Sequence, residues 1–150
     1  MNVNIAICDD NKIFIDRMRE KIINISKEKK YQLEIFMYTD GNILLNEICE
    51  GKENIDVLML DIDMPQISGL QIANEIRKRK LNITLVFVSA HDEMVFEAIQ
   101  YQPFRYMRKT LLDEELPQVL EDVFELLNDF DDKYTIIKTD EGNKKIKILK

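Results

Sequence analysis

Four acids, a hydroxyl and a lysine stand close behind short strand-like runs. Asp9 and Asp10 follow VNIAIC, and Asp61 follows VLML, with Asp63 two residues on. Ser89 follows ITLVFV, ahead of Ala90 and His91, and Lys109 follows FRYMR. Each has an ordinary explanation when taken singly. An aspartate after a strand caps a helix, a serine there makes a turn, and a lysine is solvated. Together they call for more, because clustered carboxylates repel one another unless a cation holds them. An all-oxygen donor set, with no Cys/His zinc spacing around Cys8, Cys49 or His91, points to Mg²⁺. Carboxylates on Mg²⁺ beside a lysine and a hydroxyl suit phosphoryl chemistry, in which cations and donors neutralise the transferring group. An aspartate can itself attack phosphorus and form an acyl phosphate. Asp61, at the end of the central strand, is best placed to do so. Asp10 and Asp61 would ligate the metal directly, and Asp9 directly or through water.

The elements that must bring these residues together alternate regularly. Val3–Cys8 reads as a buried strand. Ile15, Met18, Ile22 and Ile25 then recur at helical spacing. Leu33–Tyr38 alternates as a strand does, and Asp40 is placed to cap a helix bearing Ile43, Leu44, Leu45 and Ile48. Asp56–Leu60 is a second continuous strand. Pro65 and Gly69 lead into a helix with Leu70, Ile72, Ala73 and Ile76 and basic Arg77–Lys80 at its end. Ile83–Val88 is the most strand-like run, Glu93–Gln100 fits a short helix capped by Asp92, and Phe104–Met107 is a weak fifth strand. A last helix starts near Asp113 and carries Leu116, Val119, Leu120, Val123, Leu126 and Leu127, with Pro117 tolerated near its first turn. Five βα repeats with continuous apolar strands imply a parallel, doubly wound α/β sheet covered on both faces. Ligands of such sheets sit beyond the carboxyl ends of the strands, where the six residues fall.

Composition narrows the class. The chain has 150 residues, 45% hydrophobic and 33% charged, with four glycines and three prolines, which excludes a disordered or fibrous chain. No apolar run is long enough to span a membrane, and MNVNIAICDD has no basic region of a secretory signal. Reduced, apolar-patterned cysteines agree with a cytoplasmic protein. Of 21 basic and 28 acidic residues, the last twenty positions hold six lysines and four acids. The remaining 15 basic and 24 acidic residues make residues 1–130 an acidic body that cannot bind nucleic acid by bulk attraction. Beyond Phe130, NDFDDK reads as a polar break. Tyr134–Lys138 and Lys144–Leu149 read as β-like segments around a turn at Asp140-Glu141-Gly142-Asn143. This tail is either the first piece of another domain or a hairpin that packs on the main one.

The chain resembles the receiver domain of a two-component response regulator over residues 3–130. The resemblance is carried by Asp9-Asp10, LMLDIDMPQISG at 58–69, FVSA at 87–90 and YQPFRYMRK at 101–109. It implies a flavodoxin-like sheet of strand order 2-1-3-4-5. It also implies that Asp61 is the phospho-acceptor and that Asp9 and Asp10 are the acidic pair for Mg²⁺. Asp63 would lend a backbone carbonyl to the metal, and Lys109 would pair with the phosphate. Ser89 would be the switch hydroxyl, Ala90 the small residue beside it, and Tyr106 the aromatic whose rotamer follows Ser89. Such a domain takes its phosphoryl group from a sensor histidine kinase, has no turnover beyond its own phosphotransfer and dephosphorylation, and can dimerise through a face within residues 91–130. One position departs from the family's pattern: Thr110 stands where a proline with a cis peptide bond is common. YQPFRYMRK and the lysine without proline look most like the LytTR class, whose receivers precede a β-rich DNA-binding domain. Residues 131–150 would then be a linker and the truncated start of that output domain.

Other readings remain on the sequence alone. Asp61-Ile62-Asp63 also fits an aspartyl-nucleophile Mg²⁺-dependent phosphatase, although that motif normally follows the first strand. A flavodoxin shares the sheet, but Asp9-Asp10 would repel a flavin phosphate. A pseudo-receiver would keep the fold without being phosphorylated. His91 reads as a surface residue or as a gate for water.

Overall fold

A computed structural model describes residues 2–139 and 142–147, with side chains described for residues 2–129. Two compact units divide at Leu116/Pro117. The first holds a five-stranded parallel sheet of order β2-β1-β3-β4-β5. Its strands are β1 (Asn2–Cys8), β2 (Gln32–Tyr38), β3 (Val57–Leu60), β4 (Thr84–Ser89) and β5 (Arg105–Arg108). The connecting helices are α1 (Lys12–Ser26), α2 (Gly41–Glu50), α3 (Gly69–Lys78) and α4 (Val95–Ile99). The doubly wound architecture and strand order expected from the sequence are those observed.

The central strands are apolar along their whole length because helices cover both sheet faces. Ile5, Ala6, Val57, Leu58, Leu60, Leu85, Val86 and Phe87 are fully buried. Local chemistry sets the helix starts. Asn11 caps α1 by accepting from the Phe14 N–H at 3.2 Å. Asp40 caps α2 as expected, accepting from the Asn42 N–H at 2.8 Å. Ser68 caps α3 in a reciprocal box with Gln71.

Several details differ from the sequence reading. In α1 the buried stripe ends on Ser26, with Ile25 half-buried. Asp92 does not cap α4. It opens a 3-10 turn, Asp92–Met94, whose preceding residue His91 makes no side-chain cap bond. The last helix, α5, runs Leu112–Lys133, with Pro117 in its second turn. Its buried positions 116, 119, 120, 123 and 124 admit Phe124, while Leu126 is exposed, because the helical repeat carries 126 out of the stripe. NDFDDK is helical backbone and no break. In the second unit, β6 (Tyr134–Thr139) and β7 (Gly142–Lys147) pair antiparallel. Asp140, Glu141, Ile148 and Leu149 of the expected hairpin lie outside the described residues.

Candidate functional site at the carboxyl edge of the sheet

Strand register builds the site. Cys8 pairs with Leu60 across β1 and β3, so Asp9 and Asp61 leave the sheet side by side. Backbone bonds continue the ladder past both strands: the Asp9 N–H donates to the Tyr38 carbonyl at 3.0 Å and the Asp61 N–H to the Cys8 carbonyl at 2.9 Å. Ser89 pairs with Arg108 across β4 and β5, which places Lys109 one residue beyond that pair. The edge thus gathers Asp9, Asp10, Asp61 and Lys109 although they lie up to a hundred residues apart.

Asp9, Asp10 and Asp61 each offer a carboxylate oxygen, all within 4.8 Å of one another. Asp9 and Asp61 are buried and Asp10 is exposed. Lys109 Nζ lies 2.6 Å from Asp9 Oδ2 and 3.5 Å from Asp61 Oδ1. The Phe14 ring supports the same ammonium at 4.6 Å from its centroid, a cation–π contact. Burial first, and then the Asp9 carboxylate, push the Asp61 pKa up to about 6, against Lys109 and a backbone N–H bond from Asp63. Asp9 Oδ1 accepts from the Asn11 N–H at 2.9 Å. Its buried Oδ2 has the Lys109 ion pair but no well-directed hydrogen bond. One lysine thus serves two buried carboxylates, and an acceptor lobe is left over. With an all-oxygen donor set, these residues fit a hard divalent cation such as Mg²⁺.

Gly69 explains how closely the loop after β3 can fold back. Its N–H donates to the Ile62 carbonyl at 2.8 Å, and a Cβ there would lie 2.0 Å from the Asp61 carbonyl oxygen. Only glycine lets α3 begin against the backbone that carries Asp61. Beneath the site, Cys8 is buried, its Sγ 3.8 Å from Met64 Sδ, and burial with the nearby aspartates pushes its thiol pKa up to about 12.

The remaining candidates form a second group. Ser89 is fully buried, and its Oγ accepts from the His91 N–H at 3.0 Å, so in this structure it braces its own turn. Ala90 is exposed beside it. Tyr106 is half-buried against Phe87, ring centroids 6.2 Å apart, and its hydroxyl donates to the His91 carbonyl. Burial raises the Tyr106 pKa. The side chain of Asp63 is exposed and turns to His91 Nε2 at 3.3 Å, while His91 Nδ1 lies 3.2 Å from Glu93 Oε1. His91 is exposed, as the surface reading of the sequence has it, and lies between the loop after β3 and the turn after β4. Thr110 is exposed in the 3-10 turn Lys109–Leu111, and there is no cis peptide bond among the described residues. The sequence reading missed Phe14. Its aromatic type at the third helical position was the only signal, and core packing explains that signal equally well.

Residues 5–121 match the response regulator receiver domain family. The chain is 36% identical over 118 residues to the positive alginate biosynthesis regulatory protein of Pseudomonas aeruginosa, covering 79% of this chain and 46% of that protein. It is 30% identical over 103 residues to the sensory transduction protein LytR of Staphylococcus saprophyticus, covering 65% of this chain and 41% of that one. The chain thus spans a little under half the length of these relatives. Among solved structures it is similar to the response regulator TrrA of Thermotoga maritima, determined in complex with Mg²⁺ and BeF. The TM-score is 0.62 at 26% identity, covering 81% of this chain and 98% of that one. The matched span, the strand order and the acidic sheet edge agree, and this chain belongs to the response regulator receiver domain family.

Proposed function

We propose that this receiver is a phosphorylation-dependent switch that takes a phosphoryl group on Asp61 from a sensor histidine kinase. The observation that carries this reading is the buried Asp61 carboxylate beside Asp9, Asp10 and the Lys109 ammonium. An Asp61 carboxylate oxygen attacks the phosphorus of a phosphohistidine. The P–N bond breaks, an acyl phosphate forms, and the imidazole nitrogen leaves and is reprotonated. Mg²⁺, when bound by Asp9, Asp10, Asp61 and the Asp63 carbonyl, supplies charge neutralisation at the phosphoryl oxygens. Lys109 pairs with the product phosphate. Ser89 gives up its turn bond to donate to a phosphoryl oxygen, and Tyr106 responds in the space beside Ala90. TrrA, a similar response regulator determined in complex with Mg²⁺ and BeF, supports Mg²⁺-dependent phosphoryl chemistry here.

Output is part of the proposal. The β6–β7 pair after α5 supports reading residues 131–150 as the linker and opening strands of a β-rich, DNA-binding LytTR module, so that phosphorylation regulates transcription in the cytoplasm. Among the described residues no helix is long and apolar enough to cross a membrane. Exposed Phe96 and Ile99 on α4 lie within the 91–130 stretch proposed for homodimerisation.

The test is incubation with acetyl phosphate and Mg²⁺, followed by mass spectrometry and hydroxylamine treatment. A hydroxylamine-labile adduct should form on Asp61 and vanish in Asp61→Asn, and Asp10→Asn should slow it more than Asp9→Asn. An adduct that persists in Asp61→Asn, or none in the wild type, overturns the reading.

A further inference from the structure

Helix α3 abuts the acidic site at one end and grips a distant turn at the other. Its start has no room to yield, since Gly69 meets the Asp61 carbonyl and bonds the Ile62 carbonyl. Its inner face, Ile72, Ala73 and Ile76, is fully buried and its first turn is boxed by Ser68 and Gln71, so it moves as one body. Its ten residues span about 15 Å. In the last turn, Arg77 spreads its guanidinium over three carbonyls. Nε donates to Tyr101 at 2.7 Å, Nη2 to Gln102 at 3.1 Å and Nη1 to Ile83 at 3.2 Å.

The gripped turn is unusual. Gln102 has a left-handed backbone, φ 56°, and Pro103 follows. A non-glycine residue in that region persists where its surroundings over-determine it. The turn then feeds β5: the Phe104 N–H bonds the Leu85 carbonyl at 2.7 Å, and Tyr106, two residues on, reaches the His91 carbonyl.

We propose that Arg77 is a positioning residue through which α3 transmits the state of the Asp61 site to the turn at residues 100–104, and so to Tyr106. This rests on the reading of Asp61 as phospho-acceptor. The route is separate from the Ser89 hydroxyl. It runs from the Asp61 backbone through the start of α3 to its end, and the charged fork makes the final link stiff. A lysine presents one point charge in place of the planar fork and cannot hold the three carbonyls in that geometry.

The experiment is hydrogen exchange on the full chain, as wild type, Arg77→Gln and Arg77→Lys, with Mg²⁺ and with or without beryllofluoride. In the wild type the mimic should change exchange around residues 61 and 89–94 and also at 100–105. In Arg77→Gln the change around 61 and 89–94 should persist, while that at 100–105 falls below about a third of the wild-type difference. Arg77→Lys, which keeps the charge but not the planar fork, should lie between. If either variant raises exchange at 100–105 equally with and without the mimic, so that the difference is preserved, Arg77 only holds the turn and the proposal is overturned. If the wild type shows no change around residue 61, the phospho-acceptor reading fails first and the proposal falls with it. An Arg77 failure leaves the signal around residue 61 intact.

Discussion

Replacing Asp61 by Asn probes the electrostatics of the site while keeping its shape. Asp61 is 4% exposed, and burial together with Asp9 raises its pKa from 3.8 to about 6. The native state therefore favours the protonated carboxyl, whereas the unfolded chain ionises near the ordinary value. Below about pH 4 both states hold the proton and ionisation has no effect on stability. As pH rises from about 4 to about 6, the unfolded state releases its proton first, so stability falls, and above that range the full loss is in place. A shift of about two units at about 1.36 kcal/mol each gives ~3 kcal/mol. That figure is an upper bound, because Asp9 and Lys109 readjust once Asp61 is neutral. In chelator, Asp61→Asn should raise the unfolding free energy by ~1–3 kcal/mol near pH 7, and the gain should vanish below about pH 4. Urea titrations of both proteins across this range measure the difference directly. Added Mg²⁺ should narrow or invert it, since a bound cation stabilises the state that holds it. A variant less stable than wild type near neutral pH, or a gain independent of pH, would refute this account of the site.

Gly69→Ala forces a Cβ against the Asp61 carbonyl oxygen and should destabilise by about 2 kcal/mol or more in urea unfolding, since backbone has to move. A loss within experimental error would show that α3 can retreat from Asp61. Lys109→Ala removes the cation shared by Asp9 and Asp61 and should lower metal-free stability near neutral pH by ~2 kcal/mol, with Mg²⁺ restoring part of the loss. Equal melting of the two proteins in chelator would contradict the ion-pair geometry. Cys8, buried and with its thiol pushed up to about 12, should resist alkylation in the native state while exposed Cys49 reacts. Comparable labelling of both would mean that the strand edge opens readily.

Much of the site was readable because it follows a linear rule. Asp9, Asp61 and Ser89 each stand just after an apolar run and Lys109 just after the weak fifth strand, and parallel strands carry such positions to one edge. What those residues do at the edge depends on partners that no spacing reveals. Ser89, read as a turn serine when taken singly and as the switch hydroxyl by resemblance, is found accepting from the His91 N–H. His91 was read as a surface residue and is exposed, with Asp63 and Glu93 beside its ring nitrogens as neighbours that the sequence did not indicate. Phe14 and Arg77 carried only the signals of a core aromatic and a basic helix end. Their contacts with Lys109 and with the Tyr101–Gln102 carbonyls join segments about 95 and about 25 residues apart.

By itself the sequence determined the secondary structure and the burial of the sheet, since hydrophobic periodicity and caps such as Asp40 act over a few residues. It misjudged NDFDDK, where polar composition suggested a break and the backbone is helical, because polar composition alone does not separate helix from loop. Only the tertiary structure decided the charge state of the site and the closeness of its parts. The raised pKa of Asp61 arises from burial and from a carboxylate on a neighbouring strand. The need for glycine at position 69 arises from a carbonyl that folding brings to the same point in space. Both are properties of distance through space, which chain order does not encode locally.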